Sequence, residues 1–260
     1  MKYGFIGSGN MGGAIARALA KKTKNFLLTD RSGKAKALAE ELGVSYGTNE
    51  DAARCDRVFL GVKPHMMQDM LAPLQEILRQ RRPLLITMAA GLQINQIEAF
   101  AGTRLPVIRI MPNTPVAVGK GVIQYCRNDL VTDEVLEDFL QDLQHAGMLD
   151  ALEERLIDAG SALSGSGPAY VYMFLEALAD GAVACGIPRA KAMEYAAATI
   201  IGAGEMFLAT GQHPGALKDA VCSPGGSTIM GVKALENKGF RGAVMDCVTA
   251  TYNRNKELGK

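Results

Sequence analysis

A glycine-rich turn near the start of the chain restricts its fold more than any other feature. The apolar run Tyr3–Ile6 is followed by Gly7, Gly9 and Gly12, spaced Gly-x-Gly-x-x-Gly, and the amphipathic run Met11–Ala20 comes next. In a strand–turn–helix context the first glycine permits a tight turn, the second lets the backbone approach a pyrophosphate, and the third allows close packing of helix on strand. The free N–H groups and the dipole of the helix attract the anion. These residues therefore predict a dinucleotide-binding unit rather than a turn that merely needs glycines.

The residues after the second predicted strand, Phe26–Thr29, bear on which dinucleotide binds. Asp30 follows that strand, and an acidic side chain there accepts hydrogen bonds from the adenosine ribose and disfavours a 2′-phosphate, which favours NAD. Arg31 can stack on adenine and pair with a phosphate, with Ser32 and Lys36 in reach, which favours NADP. We predict NADPH as the preferred cofactor, with NADH as the alternative, because several donors surround one acidic group that can turn outward.

The order of patterns along the chain predicts an α/β fold in two parts. Short apolar runs alternate with helical patterns over the first part, which indicates a parallel sheet with crossover helices, and strand signals stop near Gly160. We expect a Rossmann-type, doubly wound dinucleotide-binding domain at 1–155, followed by an all-helical substrate-binding and dimerisation domain at 156–260. The predicted strands are Tyr3–Ile6, Phe26–Thr29, Arg57–Leu60, Leu84–Met88, Val107–Ile110 and Val122–Tyr125. The predicted helices are Met11–Ala20, Ser32–Leu42 with Ser32 as N-cap and Gly43 at its end, Met66–Leu78, Ile94–Phe100, Asp133–Ala146, and five more after Ser166 that begin near Gly167, Pro188, Pro214, Thr228 and Arg241.

The C-terminal helices are rich in alanine and leucine and are apolar over much of their circumference. A helix with such wide apolar faces needs more cover than one neighbouring helix provides. We therefore expect a homodimer in which these helices are buried against a second subunit, with further assembly of dimers open.

Composition excludes several classes of function. Lys and Arg number 28 and Asp and Glu number 27, so the net charge of +1 gives no broad basic field for nucleic acid and no charged tail for a membrane surface. The 5 cysteines and 3 histidines are scattered without metal-ligand spacing, so we expect reduced thiols and no metal. With no signal-peptide pattern and no apolar run near the ~20 residues of a membrane span, we expect a cytoplasmic protein.

Three further loops each follow a predicted strand, and they contain Val62–Pro64, Ala89–Gly91, and Pro112 with Asn113. They therefore lie at the carboxyl edge of the sheet, where such folds bind ligands. Their small residues and prolines suit a rigid floor under a nicotinamide, and although ordinary strand-to-helix loops would explain any one of them, the three together favour a binding edge. With the glycine-rich turn, the predicted cofactor-binding residues are Ile6, Gly7, Gly9, Asn10, Met11, Gly12, Asp30, Arg31, Ser32, Val62, Lys63, Pro64, Ala89, Ala90, Gly91, Pro112 and Asn113.

Motifs in the second half complete a recognisable set. They are Leu163–Tyr170 (Leu-Ser-Gly-Ser-Gly-Pro-Ala-Tyr), Lys218–Val221 and Ser223–Thr228 (Ser-Pro-Gly-Gly-Ser-Thr). With the glycine-rich turn, Val62–Pro64 and Arg109–Pro115, they make the chain resemble the pyrroline-5-carboxylate reductases over essentially its whole length. The Pro-Gly-Gly-Ser-Thr element is the most specific part, because related dehydrogenases lack it. The resemblance implies reduction of the cyclic imine pyrroline-5-carboxylate with NAD(P)H to L-proline, the last step of proline biosynthesis.

The resemblance also implies roles for individual residues of the substrate loop. The threonine that matches Thr228 hydrogen-bonds the ring nitrogen, and the loop with Ser223, Gly225, Gly226 and Ser227 holds the substrate carboxylate. A glycine loop that enters a helix offers N–H groups and hydroxyls to such an anion. A helix N-cap at Ser227 or Thr228 is the structural alternative, and it is compatible with the binding role.

Two more residues gain roles from the resemblance alone. Asn49 matches an asparagine near the cofactor ribose, and Glu154 matches an acidic residue near the substrate pocket. The structural alternatives are an N-cap for Asn49 and a surface charge for Glu154. The chain also departs from the family pattern, with Asp30 where many members have Asn-Arg-Ser or similar, and Ala220 where some have asparagine.

Two rival functions explain less of the sequence. A β-hydroxyacid dehydrogenase needs an acid/base lysine a few residues after an interdomain glycine cluster, yet no lysine occurs between Lys120 and Lys191. A non-catalytic nucleotide-sensing module would explain the glycine-rich turn but leaves Ser223–Thr228 without a purpose.

Overall fold

The computed structural model describes residues 2–31 and 33–258. Its strands are β1 (Tyr3–Ile6), β2 (Phe26–Thr29), β3 (Ser45–Tyr46), β4 (Arg57–Leu60), β5 (Leu84–Thr87), β6 (Val107–Met111), β7 (Gly121–Arg127) and β8 (Gly147–Ala151). The described residues form one sheet with the strand order β3-β2-β1-β4-β5-β6-β7-β8. Neighbouring strands run parallel except β6 and β7, which are antiparallel. This confirms the predicted Rossmann-type sheet, in which the chain crosses from one side of β1 to the other.

The central strands β1, β2, β4 and β5 are buried along their whole length. Alternate residues point to opposite faces, so Phe5 and Phe59 stack at 4.4 Å between ring centroids on one face, while Ile6 and Leu60 pack on the other. Each face carries its own core cluster. Strands covered on both faces read as continuous apolar runs, which is why these segments were predictable from the sequence.

Helices of the sheet-containing part agree with the predicted ones where the amphipathic pattern is long. The helix predicted over Met66–Leu78 is wrong as a single element, because 3₁₀ turns at Pro64–Met66 and Ala72–Leu74 interrupt it. Pro73 in the second turn has no N–H to donate. The predicted end of a helix at Gly43 is confirmed by its left-handed φ of 65°, whereas the predicted N-cap Ser32 lies outside the described residues. The helices here are α1 (Asn10–Leu19), α2 (Lys34–Leu42), α3 (Asn49–Ala53), α4 (Met67–Leu71), α5 (Gln75–Arg81), α6 (Ile94–Ala101), α7 (Asp133–Asp142) and α8 (Glu154–Ser164).

The remaining elements of the described chain are helices, as predicted. They form α9 (Gly167–Ala184), α10 (Arg189–Thr210), α11 (Pro214–Ala220), α12 (Ser227–Asn237) and α13 (Phe240–Leu258). Contacts divide the chain into one unit that runs to Ser166 and includes the residues from Thr251 onward, and a second unit, Gly167–Ala250. α8 therefore packs with the sheet, beyond the expected boundary at 155, and the functional division into 1–155 and 156–260 stays a prediction.

The second unit has little core of its own. Among its described residues, the buried apolar side chains are Ala179, Ala192 and Ala196, where α9 packs on α10. Large apolar side chains are instead exposed, among them Met173 at 72% and Leu208 at 76%. No helix within the described ranges is long and apolar enough to cross a membrane. The exposed apolar faces thus belong to helices that the single chain leaves uncovered.

Candidate functional site

The glycine-rich turn is packed too closely for any side chain at three positions. Gly7 has a φ of +94°, and a Cβ there would lie 2.8 Å from the carbonyl carbon of Gly61. A Cβ on Gly12 would lie 2.3 Å from the carbonyl oxygen of Gly7, and one on Gly61 would lie 2.2 Å from the same oxygen. The first and third glycines of the motif therefore do what the sequence predicted, and Gly61 is a further glycine that the turn requires.

The second glycine of the motif has no such neighbour. A Cβ on Gly9 would meet nothing within 4 Å, so the protein itself does not need a glycine at this position. Gly9 precedes α1 in an extended conformation, no described side chain caps the helix, and its first turn carries no acidic residue. The N–H groups of Asn10, Met11 and Gly12 belong to that first turn, which has no intrahelical partners for them. Open space in front of uncapped N–H donors fits a phosphate group.

A cleft lies beside this turn at the carboxyl ends of β1, β2 and β4. One cavity of about 320 Å³ is lined by Ile6, Gly7 and Val62 from the turn and the β4 loop. A second cavity of about 530 Å³ extends past Thr29 and Tyr46. Both are lined by Asp30, Arg31, Asn49, Met70 and Pro73. The structure thus brings together the turn, the end of β2 and Asn49, and their contact with a cofactor stays a prediction.

The acidic and basic groups at the end of β2 have different surroundings. Oδ1 of Asp30 accepts a hydrogen bond of 2.9 Å from the backbone N–H of Gly33, so this carboxylate holds its own loop. Arg31 lines the cleft and is exposed. Ser32, also predicted to contact the cofactor, lies outside the described residues. The cleft therefore offers a guanidinium beside a carboxylate that is already engaged.

Asn49 is not the N-cap of α3. Thr48 occupies that position and accepts from Asp51 N at 3.2 Å, while the backbone N–H and hydroxyl of Thr48 donate to the Asp51 carboxylate. These hydrogen bonds hold the pKa of Asp51 below its usual value. Asn49 is free of capping and instead accepts a 2.6 Å hydrogen bond from the hydroxyl of Thr29 through Oδ1.

The other strand-end loops contribute less to this cleft than predicted. Lys63, Pro64, Ala89, Ala90 and Pro112 are not among the residues that line its two cavities. Gly91, with a φ of 76°, lines a separate polar cavity of about 410 Å³ beside α6 and α8. Their contact with a cofactor stays a prediction.

Asn113, predicted to contact the cofactor, uses its side chain within the protein. Its amide oxygen accepts from Val122 N at 2.9 Å, and its amide nitrogen donates to the carbonyl of Ser164, also at 2.9 Å. The side chain is 6% exposed and ties the end of β6 to β7 and α8.

Glu154 is a structural link rather than a free surface charge. Its Oε1 accepts a 2.7 Å hydrogen bond from the N–H of Ile94 at the start of α6 and lies 3.5 Å from Nη1 of Arg109. Arg109 is 1% exposed and also pairs with Asp158 at 2.7 Å. Burial, assisted by the Glu154 charge, raises the pKa of the Cys126 thiol to about 11. The predicted substrate contact of Glu154 stays a prediction.

The loop Ser223–Thr228 lies in the helical unit. Gly225 has a φ of 70°, and Gly226 N donates to Ser223 O at 3.0 Å. Gly226 is the N-cap of α12, with no side-chain cap among the described residues, so the predicted N-cap at Ser227 or Thr228 is wrong. A Cβ on Gly226 would lie 2.4 Å from the Ser223 hydroxyl, so a side chain at this position would displace that hydroxyl. Ser227 and Thr228 begin the helix as exposed residues, and uncapped N–H groups with nearby hydroxyls can bind a carboxylate.

Sequence reasoning missed the far wall of this cleft. Met66, Met70 and Pro73 line it from the interrupted helical segment after β4. The signal in the sequence was the position of this segment directly after Val62-Lys63-Pro64. Its methionines read equally well as core residues, so the pattern could not separate the two roles. Within the described residues there is no cluster of three or more His, Cys, Asp or Glu side chains for a metal.

Comparisons with known proteins cover the whole chain. Family models described as "Pyrroline-5-carboxylate reductase dimerisation" and "NADP oxidoreductase coenzyme F420-dependent" match residues 154–258 and 2–91. A pyrroline-5-carboxylate reductase of Escherichia coli (strain K12) is 40% identical over 266 residues, covering 100% of this chain and 98% of the relative. The crystal structure of the Plasmodium falciparum enzyme with NADP bound superposes with a TM-score of 0.90 at 33% identity, covering 100% of this chain and 98% of that one. The Streptococcus pyogenes enzyme gives 0.90 at 34% identity, covering 99% and 98%.

Proposed function

The chain belongs to the pyrroline-5-carboxylate reductase family, and from that premise we propose how its residues divide the reduction of 1-pyrroline-5-carboxylate to L-proline. The cleft at the carboxyl ends of β1, β2 and β4 takes the nicotinamide cofactor. The loop Ser223–Thr228 takes the cyclic imine. The observation that carries this assignment is the uncapped start of α12, where N–H donors and the hydroxyls of Ser227 and Thr228 are left for a ligand.

The cofactor cleft fits a dinucleotide. Gly9 leaves open space before the unpaired N–H groups of α1, which suits the pyrophosphate. NADPH is the preferred form, because the Arg31 guanidinium is exposed in the cleft while the Asp30 carboxylate is engaged with Gly33 N. When bound, the reduced nicotinamide supplies a hydride for the C=N carbon. NADH remains a usable alternative, since Asp30 can still accept from a ribose hydroxyl.

The substrate loop positions the imine. N–H groups at the start of α12 hold its carboxylate, and the Thr228 hydroxyl hydrogen-bonds the ring nitrogen. A protonated imine is already electrophilic, so the protein needs no strong acid there. Holding the two reactants in the right geometry supplies most of the rate.

The functional assembly is a homodimer. The matched dimerisation region covers 154–258, and the helical unit has exposed apolar faces where a single chain would need a core. A second copy of the same helices provides the cover that such faces require. Further association of dimers is part of the proposal.

The experiment is the oxidation of NADPH and NADH, followed by absorbance, with and without pyrroline-5-carboxylate. We expect imine-dependent oxidation, with a lower KM for NADPH than for NADH, and L-proline as the product. If neither cofactor is oxidised in an imine-dependent way, the proposed function is wrong.

A further inference from the structure

Thr29 connects three parts of the cofactor cleft. It is the last residue of β2 and is 1% exposed. Its carbonyl oxygen accepts from the N–H of Gly7 at 3.1 Å and from the N–H and hydroxyl of Ser8, both at 3.2 Å. The end of β2 and the glycine-rich turn are therefore fixed to one another through a single residue.

The side chain of Thr29 reaches the third part. Its hydroxyl donates to Oδ1 of Asn49 at 2.6 Å, a short and therefore strong hydrogen bond for this donor type. Because the amide oxygen is occupied by this bond, the amide nitrogen of Asn49 points to the other side. Nδ2 has no protein partner within the described part of the chain, and Asn49 is partly exposed and lines both cavities of the cleft.

We propose that Thr29 is a positioning residue for the cofactor. Its hydroxyl holds the Asn49 amide in the one orientation that turns two N–H donors into the cleft. An oxygen of the dinucleotide, from a ribose hydroxyl or a phosphate, accepts from that amide. A serine or threonine hydroxyl can do this and a valine methyl cannot, although threonine and valine have nearly the same shape. The inference rests on the proposed function only in that the cleft binds a nicotinamide dinucleotide.

A purely structural role for Thr29 makes different predictions. If the hydrogen bond from this hydroxyl only stabilised the folded protein, Thr29→Val would alter the free energy of unfolding and leave cofactor affinity unchanged. If it acts through Asn49, its effect on affinity must disappear when the Asn49 amide is absent. Coupling of this kind is what a double-mutant cycle measures.

The test is titration of NADP⁺ into the purified full-length protein, with its Kd measured for wild type, Thr29→Val, Thr29→Ser, Asn49→Ala and the Thr29→Val/Asn49→Ala double variant. We expect Thr29→Val to raise the Kd about five- to tenfold, as for one lost hydrogen bond, with kcat changed less than about twofold. Thr29→Ser should restore the wild-type Kd. In the Asn49→Ala background, Thr29→Val should add nothing. An unchanged Kd in Thr29→Val, no rescue by serine, or additive effects would overturn the proposal.

Two more variants keep the test decisive. Thr132→Val also removes a threonine hydroxyl, one that accepts from Val135 N at the start of α7, away from the cavities that Asn49 lines, and it should leave the Kd within about twofold. An equal rise there would overturn the proposal. Asn49→Asp retains the acceptor for Thr29 but has no N–H to donate, so it should raise the Kd about tenfold or more even if Thr29→Val does not fold. An unchanged Kd for Asn49→Asp would also overturn it. Imine reduction by the wild-type protein is measured in a separate assay. Failure of the proposed function can therefore be told apart from failure of the role of Thr29, which is measured by the Kd for NADP⁺.

Discussion

Gly226 stands where a serine or threonine commonly caps a helix. A capping hydroxyl accepts from the first turn and is then committed to the helix. With glycine at the N-cap, no side chain among the described residues caps the first turn of α12, and the hydroxyls of Ser227 and Thr228 are not used for capping. The same arrangement occurs at Gly9 and α1. At both places the proposed ligand takes helix N–H donors that a capping side chain would otherwise occupy.

Thr228→Ala should lower kcat/KM for the imine about ten- to a hundredfold, since one or two kcal/mol of hydrogen bonding to the ring nitrogen is lost in the transition state. The Kd for NADP⁺ should not change. Steady-state kinetics with varied imine measure this. The matched control is Thr249→Ala on α13, whose hydroxyl donates to the carbonyl of Met245. Equal kinetics for wild type and Thr228→Ala would refute the role of Thr228.

Arg31→Ala should raise the KM for NADPH about tenfold or more and the KM for NADH by no more than about twofold, because only NADPH carries the 2′-phosphate that a guanidinium can pair. Arg79→Ala is the control, since Arg79 pairs with Glu76 on the surface of α5. Parallel changes for both cofactors would instead favour an NAD enzyme.

At the level of elements, the sequence predicted the central strands, which are buried on both faces of the sheet. It missed the two strands at the edges of the sheet. The bounds of β1, β2 and β4 agree with prediction because apolar runs flanked by turn residues have few other interpretations. β3 and β8 were missed because they are short or half-exposed strands at the two edges of the sheet, without an apolar run.

The residues of the candidate site also fall into two groups, those that a local sequence pattern predicted and those that it did not. The glycine spacing, in its strand–turn–helix context, predicted the turn, and steric contacts demand glycine at Gly7 and Gly12. The links of Glu154 to Ile94 and of Thr29 to Asn49 join residues far apart in sequence, and no local pattern encodes them. Such contacts depend on how helices pack on the sheet.

A charge network fastens α7 to the amino ends of β1 and β4. Tyr3 donates to Asp142 at 2.6 Å, Lys2 pairs with Asp142 at 2.6 Å, and Arg57 pairs with Asp138. Burial, together with the hydrogen bond to Asp142, raises the pKa of Tyr3, which therefore stays neutral. Partial burial acts to raise the pKa of Asp138, but attraction to Arg57 and Lys2 outweighs it, so that pKa is lowered.

Asp138→Asn should therefore destabilise the protein in a pH-dependent way. A lowered folded-state pKa means that the stabilisation is fully present above the unfolded-state pKa of about 4 and is lost as the pH falls through the folded-state value. Because Asp138 is half-exposed, we expect a loss of about 0.5–1 kcal/mol at neutral pH. The difference from wild type should shrink toward zero once the pH has fallen below the folded-state pKa. Denaturant unfolding at fixed protein concentration measures this loss of unfolding free energy.

The control is Asp129→Asn, at the exposed pair with Arg104. A loss in Asp138→Asn that does not vary with pH would contradict the account.

At the level of the whole molecule, the two units differ in how they are stabilised. The sheet unit has a core on each face of its sheet, whereas the described buried apolar residues of the helical unit are three alanines. Hydrophobic burial is the main favourable contribution to folding. The proposed homodimer would supply most of it to the helical unit from a second chain.

Met173→Glu should shift the protein toward monomer in light scattering at micromolar concentration, since it places a charge on an apolar helix face proposed to be covered in the dimer. Val118→Glu is the matched control, because Met173 and Val118 are both 72% exposed and Val118 lies in the sheet unit. Wild-type protein that is monomeric at this concentration would contradict the proposed assembly, as would equal dissociation in both variants.

The central claim is that this chain delivers a hydride from a nicotinamide cofactor to the C=N carbon of the bound imine. The most direct measurement is the mass of the proline formed from pyrroline-5-carboxylate with NADPH deuterated at C4, using the two stereospecifically labelled forms in turn. The account predicts one deuterium at C5 of proline from one of the two forms and none from the other. Proline without deuterium from either form, or no proline at all, would contradict it.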